Sequence, residues 1–200
     1  VASALCLPLF PFHGLYVIGI TKTSRISRLV LALTFPIVGF YFLDSVISGL
    51  PKEILPAITV FATIGAFWAI IKTLTQVSIL SLITYGGLAL YSIFWLVIGL
   101  NGYISDYSIA YVWSLTIVIW GLVFSVGQLI MRYGEFKITT ITGLFKTMPY
   151  FTLLFGLLIM AAIGLPPFSL FFGYVGILIS HSIVISFEFV GIIIIWFMSC

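Results

Sequence analysis

Four side chains in this sequence combine suitable chemistry with an apolar setting for carrying a proton: His13, Lys72, His181 and Glu188. Imidazole titrates near neutrality and can relay a proton through its two ring nitrogens. His13 follows Pro11-Phe12 inside a proline-broken apolar run. It could equally donate a hydrogen bond to the carbonyls that Pro8 and Pro11 leave without their usual donors. Lys72 is the basic residue nearest the interior of an apolar segment. An ammonium at mid-bilayer is costly, so such a residue is a functional candidate by default. Its competing reading is a side chain snorkelling from a helix end to the interface, because polar Thr73, Thr75 and Gln76 follow. His181 and Glu188 are seven positions apart, two helical turns, and can share a face. A carboxylate in apolar surroundings can hold a proton near neutral pH; the alternative sets both residues in the headgroup region. Asp44 reads as an interfacial residue near a helix end.

Other chemistries are excluded. The sequence has no glycine-rich nucleotide loop, nucleophile triad, haem pair or zinc-ligand spacing. Cys6 and Cys200 lie in apolar sequence at opposite ends and indicate neither a disulfide framework nor a metal site. With 62% hydrophobic and 6% charged residues, the chain is no soluble globular domain. Its net charge of +3 is spread among connecting segments rather than gathered into a nucleic-acid patch.

The elements that position these groups are apolar runs close to the roughly 20 residues needed to cross a bilayer. They cover residues 1–20, 29–47, 56–71, 77–100, 107–131, 148–180 and 183–198. Residues 1–200 therefore read as one all-α transmembrane domain, a helix bundle of about seven passages. Two passages are discontinuous: the first carries Pro8 and Pro11, and the sixth is interrupted by Gly164-Leu165-Pro166-Pro167. A helix rarely continues through Pro-Pro, and broken helices at membrane depth are a hallmark of translocators. The break in the sixth passage is expected to sit at membrane depth, sheltered by neighbouring helices.

Alternate connections collect the basic residues on one side. Lys22, Arg25, Arg28, Lys72, Arg132, Lys137 and Lys146 fall after odd-numbered passages, while Lys52 alone falls after even ones, beside Glu53 and Asp106. The positive-inside rule places the first group on the cytoplasmic or matrix side. Tyr103, Tyr107 and Tyr111 near the other boundary fit an interfacial aromatic belt. The chain starts and stops inside apolar sequence, which suggests a fragment or one piece of a split subunit.

Leu7-Pro8-Leu9-Phe10-Pro11-Phe12-His13 resembles the P-F-H element of the antiporter-like subunits of respiratory complex I and of Mrp-type cation/proton antiporters. Gly143-Leu144, Met148-Pro149, Gly164-Leu165-Pro166-Pro167-Phe168-Ser169 and Phe171-Phe172-Gly173 resemble the family's second broken helix. The Pro-Pro form is most similar to NADH dehydrogenase subunit 2 (bacterial subunit N), then to subunit 4 (bacterial subunit M). The resemblance runs along nearly the whole chain and covers about half of a full-length subunit.

The resemblance implies an energy-transducing membrane, mitochondrial inner or prokaryotic plasma. Partners would be other membrane subunits of a large respiratory complex and lipids, with no nucleic acid. No cofactor would be bound by this chain; NADH, flavin, iron–sulfur clusters and quinone would belong to partner subunits. The family's ionisable positions are largely replaced. Its first-helix lysine falls at Cys6, its second lysine between Thr34 and Ile37, and its closing lysine or glutamate at Tyr174. The tryptophan and proline–acid pair expected after the histidine are replaced by Gly14-Leu15-Tyr16-Val17, and residues 73–131 hold no Lys, Arg or His. Tyrosine, with an ordinary pKa of about 10, is a poor proton carrier at neutral pH. The expectation is a non-redox membrane-arm subunit of an NADH:quinone oxidoreductase-like complex whose own half-channel is impaired. Alternatives are a stand-alone cation/proton antiporter and a purely structural assembly subunit.

Overall fold

A computed structural model describes residues 2–134, 143–180 and 193–196. His181, Glu188, Lys137 and Cys200 lie outside the described residues. The described elements are α1 (Ala2–Cys6), α2 (Gly14–Thr21), α3 (Arg25–Ile47), α4 (Leu55–Leu74), α5 (Ile79–Asn101), α6 (Asp106–Tyr133), α7 (Leu144–Thr147), α8 (Pro149–Ile163) and α9 (Ser169–Ser180), with a 3₁₀ turn at Lys52–Ile54 before α4. Among the described residues, α3, α4, α5 and α6 are each long and apolar enough to cross a membrane. The described residues form helices and turns with no strand, and the four long apolar helices make this a membrane protein.

Helix ends follow local chemistry. The Ser24 hydroxyl accepts from the Ser27 amide to start α3, and Ser105 does the same from Ser108 to start α6. Gly102 ends α5 at φ 71, in the left-handed region that favours glycine. The helices overrun the apolar runs: α3 begins at Arg25, inside the basic stretch, and α4 continues to Leu74, taking Lys72 into its last turn.

At the centre lies α5, buried on nearly every side between α4, α6 and the first broken passage. Small residues set how closely these elements approach. A methyl group on Gly65 of α4 would come within 2.6 Å of the Phe10 Cβ, and one on Gly39 of α3 would overlap the Leu7 backbone. Both glycines therefore make room for the unwound stretch between α1 and α2. On the other side, Gly173 of α9 packs on α6, where an added Cβ would lie 2.9 Å from the Tyr111 backbone.

One sequence expectation is corrected here. Tyr103 and Tyr107 are exposed, as an aromatic belt requires, but Tyr111 is fully buried. It points into the interface with α5, where its hydroxyl donates to the Leu90 carbonyl at 3.0 Å. Residue 111 shares a face with residue 107 but lies one turn further along α6, where α5 and Gly173 of α9 cover it.

Candidate functional site in the broken helices

The first break leaves two carbonyls to account for. Proline lacks an N–H, so Pro8 and Pro11 cannot donate to Ala4 and Leu7. The Leu9 amide reaches past Pro8 to the Ala4 carbonyl at 3.1 Å. The Leu7 carbonyl accepts from the indole Nε1 of Trp95, in the middle of α5, at 3.0 Å. Neither carbonyl uses His13, so the donor role offered for it from sequence is taken by Leu9 and Trp95.

His13 instead joins an aromatic cluster. Its ring stacks on Phe10, with centroids 5.6 Å apart, and lies 4.6 Å from Trp68 of α4. Its Nδ1 is buried with no hydrogen-bond partner among the described residues. Tyr85 packs edge-on against Trp68 at 5.6 Å, and Lys72 Nζ lies 5.8 Å from a Trp68 ring. The structure thus brings His13 and Lys72, two of the four proton candidates, onto one indole. Lys72 is exposed at the carboxyl end of α4, where the helix dipole favours a cation.

Deeper in the bundle is a group of hydroxyls that the sequence reading missed. Tyr16 of α2 and Tyr91 of α5 meet edge to face at 6.0 Å, both fully buried. The Thr116 hydroxyl donates to the Val112 carbonyl at 2.8 Å, so Tyr91 donates to the Thr116 oxygen at 3.0 Å. The Tyr16 hydroxyl is buried without a partner among the described residues. In sequence these tyrosines look like apolar filler; only the packing of three helices collects them.

At the second break, α8 closes in a Schellman turn. Gly164 adopts φ 74, its amide donates to Ala161 at 3.1 Å, and the Leu165 amide donates to Met160 at 3.2 Å. Helix α8, with 15 residues, rises about 22 Å, short of the roughly 30 Å core, and α9 is described over 12 residues as far as Ser180. Helix α8 does not span alone, and Pro166 and Pro167 lie in the turn that joins it to α9. The expected shelter is one-sided: Gly164 is buried, with the Trp196 ring where its Cβ would project, while Pro166 and Pro167 are exposed on the described residues. Tyr174, at the family's closing ionisable position, is buried and stacks on Trp196 at 4.5 Å. Cys6, at the first-helix lysine position, is half-buried with a free thiol.

Among the described residues, every Lys and Arg sits at a helix end or in a connecting turn. Asp44 is exposed, Glu53 lies in the 3₁₀ turn and Asp106 opens α6. No group of three His, Cys, Asp or Glu that could hold a metal occurs among them. The span interiors offer hydroxyls and one imidazole, which can hydrogen-bond water but present no fixed charge.

No curated protein matches this sequence. Among solved structures, the chain superposes on a chain of the Mrp complex from Dietzia sp. DQ12-45-1b with a TM-score of 0.82 and 18% identity, over 98% of this chain and 38% of that one. Respiratory complex I from Thermus thermophilus with bound NADH gives 0.82 and 18%, over 98% and 43%. The membrane-bound sulfane sulfur reductase, an archaeal respiratory membrane complex, gives 0.83 and 15%, over 98% and 42%. The chain therefore spans less than half the length of these relatives. At such identities the likeness establishes the fold, and each relative is a chain of a large membrane complex. The sequence model described as NADH:quinone oxidoreductase/Mrp antiporter, TM, matches residues 1–199, so the chain belongs to this family of integral membrane proteins.

Proposed function

We propose that this chain serves in the membrane arm of a complex I-like NADH (or other donor):quinone oxidoreductase, with electron transfer confined to partner subunits. Its own half-channel is silent or impaired, and it completes the arm by bridging neighbouring membrane subunits. What supports the silent channel is the chemistry of the buried positions. Tyr16, Tyr91, Thr116 and Tyr174 occupy the interior, and among the described residues the Lys and Arg side chains stand at helix ends or in turns. Moving protons through apolar protein needs titratable groups or water chains at short intervals, and neutral phenols supply neither charge nor a convenient pKa.

The test is the ratio of protons moved to electrons transferred in the assembled complex. Lys72→Gln combined with Glu188→Gln leaves the ratio unchanged if this chain carries no protons. A drop in the ratio with electron transfer intact contradicts the reading.

A second reading, a cation/proton antiporter, has one observation in its favour: His13 and Lys72 converge on Trp68. It requires a hydrated cavity reaching Lys72, His181 or Glu188. Ion flux that survives replacement of all three removes it.

A further inference from the structure

Helices α6 and α8 meet where Leu158 packs on Gly121, yet leave clefts between their facing sides. Val118, Gly121, Ser125, Gln128 and Arg132 recur on α6 at spacings of three and four, which aligns them on one face. Across from this stripe run Met148, Phe151, Leu154, Leu158 and Ala161 of α8 and its amino end. Between the two lies an apolar cleft of about 490 Å³ that includes Gly121, Ser125, Leu154 and Leu158 and ends at Ala161 and Phe168, beside the second helix break. A second cleft of about 350 Å³, lined by Gln128, Arg132, Met131 and Met148, opens at the end bearing the basic connections. The two meet at Phe151, which lines both. From residue 118 to 132 the stripe covers about 21 Å of helix axis, more than half the depth of a bilayer core.

Arg132 lines the mouth of this crevice, and Arg25 approaches it from α3 through Met131. The Arg132 guanidinium donates to the Met148 sulfur at 3.1 Å, and the Arg25 guanidinium donates to the Met131 sulfur. A thioether is a weak acceptor and carries no charge. The Nε of Arg25 is buried with no partner, and neither arginine has a carboxylate partner, among the described residues. Glu135, the acid nearest Arg132 in sequence, lies outside them.

We propose that this crevice binds one anionic glycerophospholipid of the basic-side leaflet. Its phosphate is held by Arg132 and Arg25, with Gln128 beside them. One acyl chain lies along the α6–α8 cleft toward the Pro-Pro break. Charge complementarity names the headgroup: guanidinium pairs with phosphate through parallel N–H donors, and sulfur acceptors are easily given up for it. The apolar lining of the larger cleft, and the stripe's run of about 21 Å beside it, name the tail. This inference rests on the membrane setting alone and stands or falls independently of the proposed channel chemistry.

The test uses the full chain reconstituted in vesicles of equal parts phosphatidylglycerol and phosphatidylcholine, then extracted and weighed with its retained lipid by native mass spectrometry. The expected result is about a fivefold preference for phosphatidylglycerol, the scale of one basic side chain at an anionic surface. Arg132→Gln brings that ratio close to one. Leu154→Trp, an exposed position filled from the lipid side, lowers retention of both lipids. Lys22→Gln, on the same membrane side, keeps the preference. The proposal is overturned by equal retention of the two lipids, by no retained lipid, by a loss in Lys22→Gln matching that in Arg132→Gln, or by unchanged retention in Leu154→Trp.

Discussion

The indole of Trp95 donates to the carbonyl of Leu7, 88 positions earlier, and thereby satisfies the acceptor that Pro11 leaves open in the first broken helix. A carbonyl without a donor in an apolar interior costs about 1–3 kcal/mol. Trp95→Phe keeps the ring and removes the donor. It is expected to destabilise the protein by about that amount, read as a lower unfolding midpoint in detergent. Trp113→Phe, at an exposed ring whose indole N–H meets no acceptor among the described residues, is expected to leave the midpoint unchanged.

The glycines divide into two groups by what a methyl group would meet. At Gly39 an added Cβ overlaps the Leu7 backbone, and the helix or the broken stretch must shift. Gly39→Ala is expected to cost roughly 1–3 kcal/mol through overpacking. At Gly156 of α8 nothing lies within 4 Å of the added atom. Gly156→Ala is expected to be neutral or to add up to about 1 kcal/mol, because alanine is the better helix former. The same unfolding assay separates the two.

The buried tyrosines predict opposite signs for one chemical change. Tyr91 donates to Thr116, so Tyr91→Phe loses a hydrogen bond and about 1 kcal/mol. Tyr16 has no partner for its hydroxyl among the described residues, so Tyr16→Phe is expected to raise stability. A loss of stability in Tyr16→Phe would reveal a water or partner at that oxygen.

The arrangement of connections predicts sidedness. In a protein with Cys6 and Cys200 replaced by serine, Lys72→Cys should react with a membrane-impermeant maleimide from the same side as Lys22→Cys. Lys52→Cys should react only from the opposite side. Labelling of Lys72→Cys and Lys52→Cys from one side contradicts the order of passages.

The four long spans and both helix breaks were legible from apolar run length and proline position, because lipid leaves few ways to arrange a backbone. Gly164-Leu165-Pro166-Pro167 marked the second break as clearly as the structure does. What was not legible involves partners distant in sequence. Trp95 gives no local sign that it completes the backbone near Pro11. Tyr16, Tyr91 and Thr116 become a group only once α2, α5 and α6 are packed. Lys72 looked close to a span interior because the apolar run stops at Ile71, whereas the helix itself continues to Leu74 and carries the amine to its end. Tyr111 was misplaced for a related reason: proximity to a boundary does not say which neighbouring helices cover that turn of α6.

Membership of a redox-linked membrane arm is tested most directly by what travels with the full protein. Native membranes would be solubilised in mild detergent, separated by size, and the fraction holding this chain examined for iron–sulfur centres by electron paramagnetic resonance. The expected result is a large assembly whose other subunits carry those centres. Migration as a lone protein, or with antiporter subunits free of any redox centre, would contradict it.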